Sequence, residues 1–269
     1  MDKDAVKRLL ADNGLTPNRS LGQNFLIDGS VISRILEGAR IDGLPVLEVG
    51  PGLGALTEGL MARASHVTAV EKDRALAEIL KKRLPDPKLT VETADFLDFD
   101  AGAAMGSAPY EAVGNLPYYV TTPLSEKLLC LSAASVTLMV QAEAADRFTA
   151  MPGERVYGPL AVISQAFYRV ETLLDVPAEA FYPAPEVQSR VVRLVRKDRA
   201  DGAEPGKVLR FLKRAFAMRR KTLRNVLLRP NGFDGLLKEL GLPEGVRAEA
   251  IDPETLMNLY LIMEKEAAT

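Results

Sequence analysis

Short apolar runs alternate with amphipathic stretches along the first two thirds of this chain. Val46, Leu47 and Val49, then Val67 to Val70, Leu89 to Val91, Tyr110 to Val113 and Val136 to Val140 read as strands, each bounded by turn-forming or polar residues. Helical spacing fills the gaps. Residues 2 to 13 carry Val6, Leu9 and Leu10 and stop at Gly14, which suits a glycine cap. Asp28 stands where it caps a helix to Ala39, and a further helix runs through Leu76, Ile79 and Leu80. Thr121, Thr122 and Pro123 open another through Leu124, Leu128 and Leu129, with the proline at its first position. This βαβαβ order predicts an α/β fold: an open parallel sheet with right-handed crossovers and helices on both faces. Phe167 to Val176 and Val187 to Val195 are expected as a final strand pair, antiparallel at the sheet edge. Residues 98 to 108 are small and glycine-rich and read as a loose connection.

The pattern changes after Lys197. Residues 198–206 form a polar linker with two glycines and a proline, dividing an expected domain of residues 1–197 from a small C-terminal α-helical domain of residues 207–269. Lys207 to Arg229 is expected as helix. It carries Arg210, Lys213, Arg214, Arg219, Arg220, Lys221 and Arg224 without an acid, while Phe211, Leu212, Phe216, Leu223 and Leu227 give it a side to bury. A charge run of this kind is usually a solvated face. Here it is of one sign inside a chain of net charge −2, which favours contact with phosphates, and Arg219, Arg220, Lys221 and Arg224 are the candidate RNA contacts. Helices at Phe233 to Leu240 and Pro253 to Lys265 are expected to complete the bundle.

Composition narrows the classes. With 269 residues, 47% of them hydrophobic, the chain can bury one large core plus an appended module. One cysteine excludes a disulfide framework and a cysteine-rich metal site, and no metal site is expected. The charged start, MDKDAVKRLL, lacks a secretory apolar region, and no apolar run reaches membrane-spanning length, so a cytoplasmic protein that does not enter membranes is expected.

The candidate chemistry begins at Gly50, Gly52 and Gly54, a turn that follows a buried strand and precedes a helix. There a ligand can approach the backbone without meeting a Cβ. Gly50, Gly52 and Ala55 satisfy a dinucleotide-binding pattern and Glu71 follows at the distance of a ribose-binding acid, so NAD and S-adenosylmethionine both fit. Glu48 and Pro51 tilt the choice, because a carboxylate before the glycines suits a sulfonium or ammonium ligand better than a pyrophosphate. Glu71 and Asp95 each follow a strand of the same sheet, on its ligand side; the common alternative is a helix or turn cap. Ser20 to Asp28 reads either as a packed loop or as a flap over the cleft. Asn115-Leu116-Pro117-Tyr118 places an amide acceptor, backbone carbonyls and an aromatic face on one tight turn, which suits an exocyclic amine on a stacked ring, although such turns also occur as plain structure. Cys130 reads as a small buried hydrophobe and His66 as a packing or surface residue.

Taken in order, Gln23 to Leu26, Glu48 to Gly54, Val70-Glu71, Ala94-Asp95 and Gly114 to Tyr118 resemble the motifs of the S-adenosylmethionine-dependent ribosomal RNA adenine N6-dimethyltransferases. Gln141 to Glu143, Pro152-Gly153, Tyr157-Gly158, Phe181 to Val187 and Ser189 extend the resemblance over nearly the whole chain. It is nearest the bacterial small-subunit branch of the kasugamycin-sensitivity type, which dimethylates two adjacent adenosines near the 3′ end of 16S rRNA. The resemblance implies a Rossmann-like methyltransferase sheet, with Asn24, Leu26, Gly50, Gly52, Glu71, Asp95 and Asn115 around the cofactor. Within that set Gly50 meets the methionine end, Glu71 the ribose hydroxyls and Asp95 the adenine amine. Asn115, Leu116, Pro117 and Tyr118 are implied to receive the target adenine, and the implied partner is 16S rRNA in the 30S subunit or its precursor, bound by a monomer. Ala142 and Tyr119 depart from the family pattern, which usually has lysine and often asparagine there. The rivals are an NAD-dependent oxidoreductase, a non-catalytic RNA-binding or ribosome-assembly protein, and the 23S rRNA methyltransferase type that confers macrolide resistance.

Overall fold

The apolar runs pair as expected into one sheet, and its order explains where a ligand can sit. The computed structural model describes residues 1–18, 21–227 and 233–268, so Ser20 of the candidate flap and residues 228–229 of the basic run lie outside the described residues. The chain begins with α1 (Lys3–Asp12), β1 (Phe25–Leu26), α2 (Gly29–Ala39), β2 (Pro45–Val49), α3 (Thr57–Arg63), β3 (His66–Glu71) and α4 (Arg74–Arg83). It continues through β4 (Leu89–Thr93), α5 (Ala101–Met105), β5 (Glu111–Asn115), α6 (Thr121–Leu129), β6 (Ser135–Gln141), α7 (Ala142–Asp146) and α8 (Pro159–Phe167). Then follow β7 (Tyr168–Val176), β8 (Phe181–Tyr182), β9 (Ser189–Arg196), α9 (Pro205–Ala215), α10 (Leu223–Leu227), α11 (Phe233–Glu239) and α12 (Pro253–Ala268).

The seven-stranded sheet has the order β4-β3-β2-β5-β6-β9-β7. β2 pairs in parallel with both β3 and β5, while β9 runs antiparallel to β6. From β2 the chain winds one way to β3 and β4, then returns to the other side for β5 and β6. Strand order therefore reverses between β2 and β5, and a crevice opens at their carboxyl ends. Val46, Leu47, Val67, Ala69, Ala112, Val113, Val136 and Leu138 are all buried, as central parallel strands covered on both faces require. Local sequence starts the helices: Asp28 accepts from the amides of Ser30 and Val31 to cap α2, and Asp73 accepts from those of Ala75 and Leu76 to cap α4. No helix among the described residues is long and apolar enough to cross a membrane.

Four expectations are corrected. The loose connection at 98–108 contains α5, which Asp100 caps through the amide of Ala103. The loop before α2 includes β1, which pairs antiparallel with β8, matching Phe25 to Tyr182 and Leu26 to Phe181. α6 begins at Thr121, so Pro123 is its third residue and not its first. The single basic helix breaks: α9 ends at Ala215, residues 216–221 turn, and α10 follows. The chain also divides differently from the expected split at 198–206. One compact unit holds residues 1–145 and 171–195, and the other holds 146–170 with 196–269. The apolar helix α8 belongs to the second unit because it packs on α9 and α12.

Candidate active site

Gly50 and Gly52 leave β2 with φ of +70° and +57°, values that favour glycine, and turn the backbone across the strand ends. Glu71, the last residue of β3, fastens this turn. Its Oε2 accepts the Gly52 N–H at 2.9 Å and its Oε1 accepts the Asp73 N–H at 2.8 Å. Burial pushes the Glu71 carboxyl up from its ordinary range, and these amide bonds oppose the rise. Asp73 also accepts a 2.9 Å bond from Gln23 Nε2, which ties the loop before α2 to the same wall. Asp95, just past β4, accepts from Lys72 Nζ at 2.7 Å and from the Leu97 amide at 2.9 Å. The lysine bond is the main cause that holds its carboxyl below the usual range.

Across the reversal point, β5 delivers Asn115 to the opposite wall. Its Nδ2 donates to the Asn24 carbonyl at 3.4 Å, which turns the amide oxygen the other way. The Leu116 amide donates to Met139 O on β6, and the Pro117 carbonyl accepts from the Val120 amide and from Thr121 Oγ1. These bonds fix the turn without using a side chain that could meet a substrate. Tyr118 is half-buried, and its hydroxyl lies 2.8 Å from Ser189 Oγ at the start of β9. Tyr119 is 53% exposed at the mouth of the cleft.

Asn24, Leu26, Gly50, Gly52, Glu71, Asp95 and Asn115 to Tyr118 thus line one cleft. The basic candidates belong to the second unit. Arg219 pairs with Glu249 at 2.8 Å and donates to the Arg155 carbonyl, and Arg224 pairs with Asp234 at 2.6 Å. The run has no acid in sequence, yet acids from later in the chain partly neutralise it. Arg220 and Lys221 are exposed and form no ion pair among the described residues.

Three contributors were not among the expected site residues. Ser189 pins Tyr118, and Lys72 holds Asp95. Glu48 is only 2% exposed, lines the cleft, and has an Oε2 without a hydrogen-bond partner. Its position ahead of the glycines was a signal for it; the roles of the other two depend on contacts between residues far apart in sequence.

Loss of Glu71 is expected to act twice, because it removes a carboxylate from the cleft and frees the Gly52 turn. Glu71→Ala should weaken binding of a hydroxyl-bearing ligand in this cleft by roughly tenfold or more, about 1.5 to 2 kcal/mol. Isothermal calorimetry checks this, and parental affinity would remove Glu71 from the site.

Residues 14–265 match the family model described as ribosomal RNA adenine dimethylase. The chain is 42% identical to the ribosomal RNA small subunit methyltransferase A of Deinococcus radiodurans, over 91% of this chain and 85% of that protein. It is 41% identical to the protein of the same name from Thiobacillus denitrificans, over 88% and 93%. Among solved structures, a dimethyladenosine transferase from Plasmodium falciparum shares the fold, with a TM-score of 0.75 and 24% identity over 90% of this chain and 98% of that one. The 23S rRNA methyltransferase ErmE is similar with a TM-score of 0.64 and 29% identity, covering 88% of this chain and 98% of that one. By sequence along nearly its whole length, the chain belongs to the ribosomal RNA adenine dimethylase family, whose methyl donor is S-adenosylmethionine.

Proposed function

We propose that this enzyme places two methyl groups on N6 of each of two adjacent adenosines near the 3′ end of 16S rRNA. Its substrate is the 30S subunit or a precursor of it, and it acts as a cytoplasmic monomer in ribosome biogenesis. The observation that carries this reading is the meeting of Asn115 to Tyr118 with Glu48, Glu71 and Asp95 in one cleft at the carboxyl ends of parallel strands. Relatives above 40% identity bear a small-subunit name, while the 23S enzyme of like fold is 29% identical, which favours the small subunit. The glycine pattern alone left a dinucleotide open; family membership closes that reading.

The cleft fits S-adenosylmethionine, being glycine-floored and acidic, with one buried carboxylate oxygen that lacks a partner. Asn24, Leu26, Gly50, Gly52, Glu71 and Asp95 would hold it, and it supplies an electrophilic methyl group. The remaining work falls to the Asn115 turn. Adenine N6 is a poor nucleophile because its lone pair is delocalised into the ring. Asn115 Oδ1 and the Leu116 carbonyl accept its two N–H bonds, favour a pyramidal nitrogen and aim the lone pair across the cleft. Two reactants fixed at near-attack distance need little further help. No general base is assigned, since the methylated nitrogen releases its proton to water. Tyr118 stacks on the unpaired base, and its hydroxyl bond to Ser189 keeps the ring from rotating away.

Arg219, Arg220, Lys221 and Arg224 are proposed to contact phosphates, with Arg220 and Lys221 carrying the larger share because the other two are already paired. Arg220→Ala with Lys221→Ala should therefore lower the log–log salt slope of substrate binding by about 1.4 to 1.8 units, while cofactor affinity stays put. Filter binding across a salt series measures it. A slope equal to the parent's makes this turn a solvated surface only.

The function itself is tested by incubating under-methylated 30S subunits with labelled S-adenosylmethionine and mapping the label. Dimethylation of neighbouring adenosines near the 3′ end is expected. Label confined to 23S rRNA, or no transfer despite RNA binding, would overturn the reading.

A further inference from the structure

We propose, on the reading of this cleft as the cofactor site, that Glu48 is a proton-exchanging counter-charge for the cofactor's cationic methionine end, losing its proton as that end docks. The geometry around it carries the idea. Glu48 is buried on β2 yet lines the cleft, and its Oε2 makes no hydrogen bond. Thr57 Oγ1, from the first turn of α3, is the polar side-chain atom beside it and is likewise buried with no partner at full hydrogen-bond distance. On β5 the residue in register with Glu48 is Val113, which offers no charge. On β3 the residue in register is Ala69, and the nearby like charge is Glu71 at the end of that strand, with Asp73 beyond it; Lys72 is engaged by Asp95 at 2.7 Å. Glu71 differs from Glu48, since amides of Gly52 and Asp73 already stabilise its anion.

A carboxyl group so placed is neutral in the empty cleft. Burial is the main cause and Glu71 adds to it, with the nearby Thr57 hydroxyl opposing, and the group is pushed up to about 8. An ammonium or sulfonium brings in the missing positive charge. The Glu48 O–H bond then breaks, the proton passes to solvent, and the carboxylate remains beside the ligand's cation. The acid thus behaves as an adjustable partner where a permanent anion would be left buried and unpaired in every empty molecule.

Calorimetric titration of S-adenosylmethionine into the full-length protein, between pH 6 and 7 in two buffers of different ionisation heat, tests this. In that range the ligand's own amine stays charged. Release approaching one proton per cofactor is expected, with affinity rising toward about tenfold per pH unit. S-adenosylhomocysteine keeps the ammonium and lacks the sulfonium. Release with both ligands assigns the ammonium, release with S-adenosylmethionine alone assigns the sulfonium, and either upholds the proposal. Glu48→Gln should bind with no proton released and a flat pH dependence; release that persists in this variant overturns the assignment to Glu48. Binding by the parent without proton release overturns the inference and leaves the cofactor reading standing. Absence of binding overturns that reading and the inference with it. The parental titration stands whether or not the variant folds.

Discussion

Asn115→Ala is expected to slow methyl transfer by about a hundredfold or more and to leave RNA affinity almost unchanged. The asparagine side chain has two ends with separate tasks. Nδ2 is spent on the Asn24 carbonyl, and a 3.4 Å bond of that kind contributes modestly, so its loss should cost about 1 kcal/mol of stability or less. In the proposed mechanism the oxygen end accepts from the adenine amine, so truncation leaves N6 free to stay planar with its lone pair in the ring. If Asn115 were only a turn residue, the modest stability cost would be the whole effect. Both methyl transfers should suffer, because the monomethylated amine still has one hydrogen to be held. Single-turnover transfer to under-methylated 30S subunits at saturating S-adenosylmethionine separates the two cases. A folded Asn115→Ala protein that transfers at the parental rate would sink the proposed role of the amide oxygen.

What the sequence disclosed depended on how far apart the deciding contacts lie. Strands β2, β3, β5 and β6 were legible because each is a short apolar run buried inside the sheet, so one pattern reports the burial of the whole strand. Glu71 and Asp95 were legible for the same reason: a strand end in a parallel sheet fixes which side of the sheet a following residue occupies. β1 was not, since two residues become a strand only by pairing with Phe181 and Tyr182 much later in the chain. The break between α9 and α10 carries no glycine or proline to announce it, and Leu223 and Leu227 of the second helix are buried. Charge misled for a related reason. Arg219 looked unpaired because Glu249 lies 30 residues away, and Arg224 because Asp234 lies 10 away. Glu48 was visible as a carboxylate just ahead of the glycines, but only the fold shows that it is enclosed and that its Oε2 lacks a hydrogen-bond partner.

Glu48→Gln should make the free protein more stable, and the gain should grow with pH. In the folded chain burial raises the Glu48 carboxyl from 4.5 to about 8, so between these values the folded state binds a proton that the unfolded chain has given up. For an acid shifted upward, the associated stability is complete below about pH 4.5 and is lost as pH rises toward 8. At one pH unit per roughly 1.4 kcal/mol, the parent should lose about 2 to 3 kcal/mol between pH 5 and 7 through this group alone. Glutamine mimics the neutral acid and has no proton to lose, so the variant-minus-parent difference isolates Glu48 from every other carboxylate that titrates in the same range. Urea unfolding of the two proteins at pH 5, 6 and 7 gives that difference. A gap that stays constant across the series would mean that Glu48 is ionised in the folded protein throughout and has a partner there. A gap that widens identifies a buried acid that lowers the stability of the fold, and such a cost is tolerated where the residue serves binding. S-adenosylmethionine should then narrow the gap, because it binds the parent with its carboxylate paired and the glutamine variant without that charge.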